Sequence, residues 1–208
     1  KSSIANLYTF LNVLEDTYQY IIYIFGNHEY YGTSYGEVKD IVNKLKYYPN
    51  LYILENNSLT IKELGDVTFY GTTLWFEETI ETNLLKYSLN DYRQIKDFTP
   101  DKWCREAIQY IKNIENTESK KVLITHHVPH SRFISPKYVG SNMNCFYLND
   151  IGKYLDKFNL VVFGHSHDSV YQQFSNRTLA MSNPRGYIDY TGNEGENDKF
   201  QYQLIIEV

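Results

Sequence analysis

All six histidines of this 208-residue chain fall in three short clusters. His28 lies in Gly26-Asn27-His28-Glu29, His126, His127 and His130 in Thr125-His-His-Val-Pro-His130, and His165 and His167 in Gly164-His-Ser-His167. Imidazole is a borderline ligand that suits Zn, Fe, Mn or Ni, and an Asn carbonyl or a carboxylate adds harder oxygen. Two neighbouring divalent ions so held can bind a phosphoryl group, acidify bound water and stabilise the entering and leaving oxygens of a displacement. Glycine before Asn27 and before His165 permits a sharp turn and a close backbone approach. If the segment is extended, His165 and His167 point to one side, each toward a different ion. His-x-His alone is a weak signal, and Asn-His-Glu alone could be a turn. One His per cluster is enough for a ligand, which leaves His127 or His130 to orient a ligand or contact phosphate.

Each cluster directly follows an apolar segment that reads as a buried strand: Tyr20–Phe25, Lys121–Thr125 and Leu160–Phe163. Ends of parallel strands meet at one edge of a sheet, where sites form. Around them, Ile4, Leu7, Phe10, Leu11 and Leu14 recur at helical spacing, and a second helix spans Tyr35 to Tyr47, stopped by Pro49. Leu51–Leu54, Leu59–Ile61 and Val67–Tyr70 read as short strands. Residues 77–100 have weak periodicity and read as a loop or short-helix excursion over a site. Thr99-Pro100 starts a helix from Asp101 to Asn116, and a further helix is expected at Leu148–Phe158. Val170–Phe174, Thr178–Met181 and Gln201–Val208 read as antiparallel strands. The mixture predicts an α/β sandwich with strand ends converging on one edge.

The length suits one domain with a sizeable core. A net charge of −5 leaves no excess cation to neutralise many phosphates, which argues against a long nucleic acid or a membrane surface but not against one nucleotide in a pocket. The two cysteines, Cys104 and Cys145, have no paired spacing, so neither a disulfide framework nor a zinc knuckle is expected, and a reducing, cytoplasmic setting fits. No apolar run approaches a membrane span, and no signal peptide is visible. The 21 tyrosines, with abundant Asn, Lys and Ile, read as codon bias and carry no functional inference at this level.

The three clusters together resemble the third, fourth and fifth motifs of the calcineurin-like metallophosphoesterases. Glu29-Tyr-Tyr-Gly32, Gly71-Thr-Thr-Leu-Trp75, Asn90-Asp-Tyr-Arg93 and Asn183-Pro-Arg-Gly-Tyr187 resemble a microbial and viral branch of small, stand-alone members. The resemblance implies a four-layer αββα sandwich, two mixed β-sheets flanked by helices, with two divalent metals (Mn, Fe, Zn or Ni) at the strand ends. It implies Asn27, His126 and His165 as ligands of one metal and His167 as a ligand of the other. His28 would stabilise the transition state or protonate the leaving oxygen, Glu29 would tune it, and a metal-bridging hydroxide would attack phosphorus. The expected reaction is hydrolysis of a small phosphomonoester or phosphodiester, possible substrates including a nucleotide. Arg93 and Arg185, in the branch-like segments, are candidate phosphate-binding residues beside His127, since Arg offers a planar fork to phosphate oxygens. The family's first two motifs, Asp-x-His and Gly-Asp, are not in this sequence. Because residue 1 is Lys and a helix starts at once, the expectation is a longer gene product that carries them upstream, with residues 1–208 a single domain lacking its first strand. The rival expectation is a degenerate member that keeps the fold as a binding module.

Overall fold

The computed structural model describes residues 2–45, 47–187 and 195–207. Helix α1 (Ser2–Glu15) is followed by strand β1 (Ile21–Tyr23), helix α2 (Tyr35–Leu45) and strands β2 (Leu51–Ile53), β3 (Asn57–Ile61) and β4 (Val67–Thr72). Short helices α3 (Ile80–Leu85) and α4 (Asp91–Gln94) precede the long helix α5 (Pro100–Asn113). Then come β5 (Lys121–Thr125), the one-turn helices α6 (Asn144–Tyr147) and α7 (Gly152–Leu155), and strands β6 (Leu160–Phe163), β7 (Val170–Gln173) and β8 (Leu179–Ser182).

Two sheets result. β1 and β2 pair in parallel, and the larger sheet has the order β3-β4-β5-β6-β8-β7. Its centre, β4 through β8, is parallel, and the outer strands β3 and β7 are antiparallel to their neighbours. A parallel centre must be covered on both faces. One face meets α5 and α7 through Ala107, Ile111, Leu123, Leu155, Phe158 and Val161, all buried. A second cluster, Phe25, Tyr30, Trp75, Phe76, Trp103 and Phe146, joins the β1 end to the segment after β4. The α/β class with two helix-flanked sheets matches the sequence expectation; among the described residues the smaller sheet is parallel rather than mixed.

Several elements depart from expectation. The helix expected over Leu148–Phe158 shrinks to one turn because its first residues are spent elsewhere. Leu148 pairs as an isolated bridge with Val128, and the Ile151 amide donates to the Pro129 carbonyl. Asn149 reaches across to the Trp75 carbonyl. This extended stretch ties the loop after β5 down. Residues 201–207 form no strand; Tyr202 and Ile205 are exposed, and Val208 lies outside the described residues. In α1, Leu7, Leu11 and Leu14 face inward, but Phe10 is exposed.

The C-terminus of α5 is capped by a lysine distant in sequence. Lys157 Nζ donates to the carbonyls of Ile111, Lys112 and Ile114 at 3.1, 2.8 and 2.7 Å, satisfying acceptors that the helix end leaves open. Lys157→Met should therefore lower stability by about 1–2 kcal/mol, read as a shift in denaturant midpoint with unchanged slope.

Candidate metal centre

The functional edge is built by three strand exits. β1 runs through Phe25 into a one-turn 3-10 helix, Asn27–Tyr30, and β5 and β6 run directly into His126 and Gly164. The small sheet is pinned to the large one by Thr73, just past β4, whose hydroxyl donates to the Phe25 carbonyl at 3.0 Å. Glu29 shapes the first turn: its two carboxylate oxygens accept from the Gly26 amide at 2.7 Å and the Tyr23 hydroxyl at 3.0 Å. Burial is the main cause that raises the Glu29 pKa, opposed by those bonds. Its carboxylate is thus committed to holding the turn that presents Asn27 and His28.

The turn presses against His126. A Cβ on Gly26 would stand 2.6, 2.7 and 3.0 Å from Cε1, Nδ1 and Nε2 of that ring. Only glycine leaves the imidazole this space, although the Gly26 backbone is extended and open to any residue. Gly164 is different: a Cβ there would meet His126 Nδ1 at an ordinary 3.7 Å. The expected need for glycine is therefore met at position 26 and not at 164. After β6 the chain is not extended either. His165 and His167 hold φ of 66° and 50°, and the Ser166 amide returns to the Gly164 carbonyl at 2.8 Å. Left-handed conformations at two non-glycine residues cost energy and collect at functional sites. The same-side argument from i and i+2 spacing does not apply to this bend.

Asn27, His126 and His165 come together. His126 Nε2 lies 3.0 Å from Asn27 Oδ1, and the His126 and His165 rings are 4.6 Å apart. Burial first, then the neighbouring imidazoles, holds the pKa of both rings well below the usual histidine value. Each is neutral and keeps a lone pair for a cation. His165 Nε2 is buried without a hydrogen-bond partner. A buried polar atom left open is costly unless something completes it. Among the described residues, no group of three His, Cys, Asp or Glu side chains is placed to hold an ion by itself. The donor set instead mixes two imidazoles with an amide oxygen, which fits a borderline divalent metal and leaves room for further ligands.

The other expected residues divide. His28 is exposed at the mouth, stacked on Tyr31 with ring centres 4.5 Å apart. His167 lines the same cleft. Its Nδ1 is 2.8 Å from a Glu196 oxygen, and its ring meets Tyr187 edge-on. Arg185 lines the cleft with its guanidinium over the Tyr202 ring. Arg93 does not line it; its guanidinium donates to Asn90 Oδ1 at 2.8 Å on the surface. The structure thus places Arg93 in a local bond to Asn90, a residue of the cleft wall, rather than in the cleft lining itself. His127 is fully buried, with Nδ1 3.0 Å from the Thr73 carbonyl and its ring 4.6 Å from that of His165. It packs behind a candidate ligand and cannot touch a substrate in the cleft. His130 accepts from the Arg132 amide and starts a short 3-10 turn.

The cleft encloses about 810 Å³ and includes several residues that sequence reasoning passed over. Tyr31, Tyr147 and Tyr187 ring it, Tyr147 stacking on His165 at 4.5 Å. Reading all tyrosines as composition hid these three; the clue was that Tyr31 and Tyr187 lie within the family-like segments. The excursion after β4 contributes Ser88, Leu89 and Asn90 to the wall, while Ile95 and Phe98 anchor it to the aromatic cluster.

Comparison with known proteins decides the family. The profile described as calcineurin-like phosphoesterase matches residues 2–169. The chain belongs to the calcineurin-like phosphoesterase family. Within curated sequences, this phosphoesterase-family chain is 30% identical over 185 residues to the uncharacterized protein L509 of Acanthamoeba polyphaga mimivirus, covering 76% of this chain and 65% of that protein. Among solved structures it superposes on the phosphopantetheinyl hydrolase PptH from Mycobacterium tuberculosis with a TM-score of 0.69. That match has 14% identity and covers 85% of this chain and 73% of the other, so it speaks for the shared fold. Divalent-metal use and phosphoester hydrolysis are what the family generally does. No helix among the described residues is long and apolar enough to cross a membrane.

Proposed function

We propose that this protein hydrolyses a small phosphate ester, a monoester or a diester, with two divalent ions held at the strand exits of β1, β5 and β6. The observation that carries this reading is the joining of Asn27 Oδ1, His126 and His165 beside the open, buried His165 Nε2. Asn27, His126 and His165 would hold one ion and His167 would contribute to the other. When bound, such ions supply positive charge to phosphoryl oxygens and acidify water. The chain's own residues do the rest. Gly26 and Glu29 fix the turn, His28 stands at the mouth to give a proton to the leaving oxygen, and Arg185 offers its guanidinium to the phosphate or its substituent. Glu29 acts by positioning, since its oxygens face Gly26 and Tyr23.

The test is to load the protein separately with Mn, Fe, Zn and Ni and assay chromogenic phosphomonoesters and phosphodiesters. Metal-dependent release of phosphate or alcohol is expected. A folded protein that binds these ions yet turns over neither ester class would overturn hydrolysis in favour of a phosphate-binding module. For Arg185, the fork geometry predicts that Arg185→Lys raises KM or lowers kcat/KM about 10-fold without lowering the melting temperature. An unchanged kcat/KM would remove Arg185 from the substrate site.

A further inference from the structure

Asp91 is a carboxylate with 1% of its surface exposed, at the start of α4, and the roles assigned so far leave it unused. A buried acid is expensive unless its oxygens are satisfied. Here one oxygen takes both available donors. Oδ1 accepts from Asn27 Nδ2 at 2.9 Å and from the Tyr31 hydroxyl at 2.6 Å, and Oδ2 is buried with no hydrogen-bond partner. Among the described residues no Lys, Arg or His forms an ion pair with it.

We infer that Asp91 is a positioning residue for the metal centre, acting through the side-chain amide of Asn27. The inference rests on the proposed role of Asn27 as a ligand. An amide can present either its oxygen or its nitrogen, and the two ends differ sharply toward a cation. A carboxylate accepts and does not donate, so the amide atom that faces Asp91 must be the nitrogen. That choice turns Asn27 Oδ1 the other way, to its place 3.0 Å from His126 Nε2. Tyr31 strengthens the lock twice: its hydroxyl donates to the same Asp91 oxygen, and it lies 3.3 Å from Asn27 Nδ2. Its ring meanwhile supports His28. One carboxylate thus orders the ligand oxygen and, through Tyr31, the residue at the mouth. Outer partners of metal ligands commonly contribute about 10- to 100-fold to metal affinity.

Because both bonds converge on Oδ1, orientation and charge can be separated. Asp91→Asn keeps a carbonyl oxygen where Oδ1 stands and removes the charge, whereas Asp91→Ala removes the acceptor. Mn(II) alone serves as the probe, with its dissociation constant read by calorimetry and by the EPR signal of free Mn. Asp91→Ala is expected to weaken Mn binding about 10- to 100-fold, and Asp91→Asn about threefold or less. Excess Mn should restore most of the kcat of Asp91→Ala, which a merely unfolded variant would not show. Should Asp91→Ala fail to fold, Asp91→Glu takes its place: it retains charge but moves the oxygens by one methylene, and should bind Mn more weakly than Asp91→Asn. Parent-like Mn affinity in Asp91→Ala, or an Asp91→Asn loss as large as that of Asp91→Glu, would overturn the inference while leaving the metal centre intact. A parent protein that binds no Mn would overturn the metal reading itself, and this inference with it.

Discussion

His28→Ala should slow turnover about 100- to 10,000-fold while metal content stays near that of the parent. His28 follows a candidate ligand in sequence but stands apart from the donor cluster. Its ring is exposed at the cleft mouth and stacks on Tyr31, whereas Asn27, one residue earlier, is 6% exposed and faces His126. On the proposed reading, the 3-10 turn sends adjacent side chains to different tasks, one inward to hold an ion and one outward toward the leaving oxygen. Proton donation matters most when the departing alkoxide is a poor leaving group. The loss in His28→Ala should therefore be largest with an alkyl ester and shrink with a nitrophenyl ester, whose phenolate leaves without help. Metal analysis, with the two esters assayed side by side, checks both halves. A loss of metal on this substitution would make His28 a ligand or a support of one. An equal rate loss with both esters would remove the proton-donor role and leave general stabilisation of the transition state.

This division of labour shows how far the sequence is legible. The three strand exits and their histidines can be read from apolar runs ending in His or Gly-x-His, because a buried parallel strand is a continuous apolar segment with little ambiguity. β5 and β6 keep the bounds expected of them, Lys121–Thr125 and Leu160–Phe163. His126 and His165 follow as neighbours because β5 and β6 exit side by side in the large sheet, whereas Asn27 joins them from the separate small sheet, whose β1 end Thr73 pins against it. What is not legible depends on side-chain partners distant in sequence. Asp91 meets Asn27 across 64 residues, and His167 meets Glu196 across 29. No local periodicity announces either contact. Arg93 and His127 were plausible phosphate contacts by residue type and by motif. Only the fold shows that one guanidinium turns back on Asn90 and that the other side chain is sealed behind His165. Likewise the Leu148–Phe158 pattern is helical by composition, yet the backbone bonds to Val128 and Pro129 claim its first turns. Tertiary demand overrode propensity there.

The second large effect is expected from the gain of one methyl group rather than from the loss of a ligand. Gly26→Ala should weaken Mn binding about 100-fold and lower stability by about 1–3 kcal/mol, the usual range for overpacking. The backbone at Gly26, φ −94° and ψ −178°, is one that alanine adopts readily, so no strain in the main chain enters. The whole effect is the added methyl, which would fall within 2.6–3.0 Å of three His126 ring atoms. Real Cβ atoms do not sit so close, and one side must give way. The His126 ring has little room to retreat, with the His165 ring 4.6 Å and the His127 ring 5.3 Å from it. The turn has little room either, since the Gly26 amide is tied to Glu29 at 2.7 Å. Whichever yields, Asn27 Oδ1 and His126 Nε2 lose their 3.0 Å relation, and the proposed ion would lose two donors at once. Gly164→Ala is the matched control. It adds the same methyl near His126, but at 3.7 Å from Nδ1, an ordinary contact, and should leave Mn affinity within about threefold of the parent and stability unchanged or slightly raised. Calorimetric Mn titration and thermal melts of the two variants, each without and with metal, decide the matter. If Gly26→Ala binds Mn as the parent does, the packing of the turn against His126 is not what holds the donors together. If Gly164→Ala is the more damaging of the two, the bend after β6, with its left-handed His165 and His167, governs the site instead of the turn after β1.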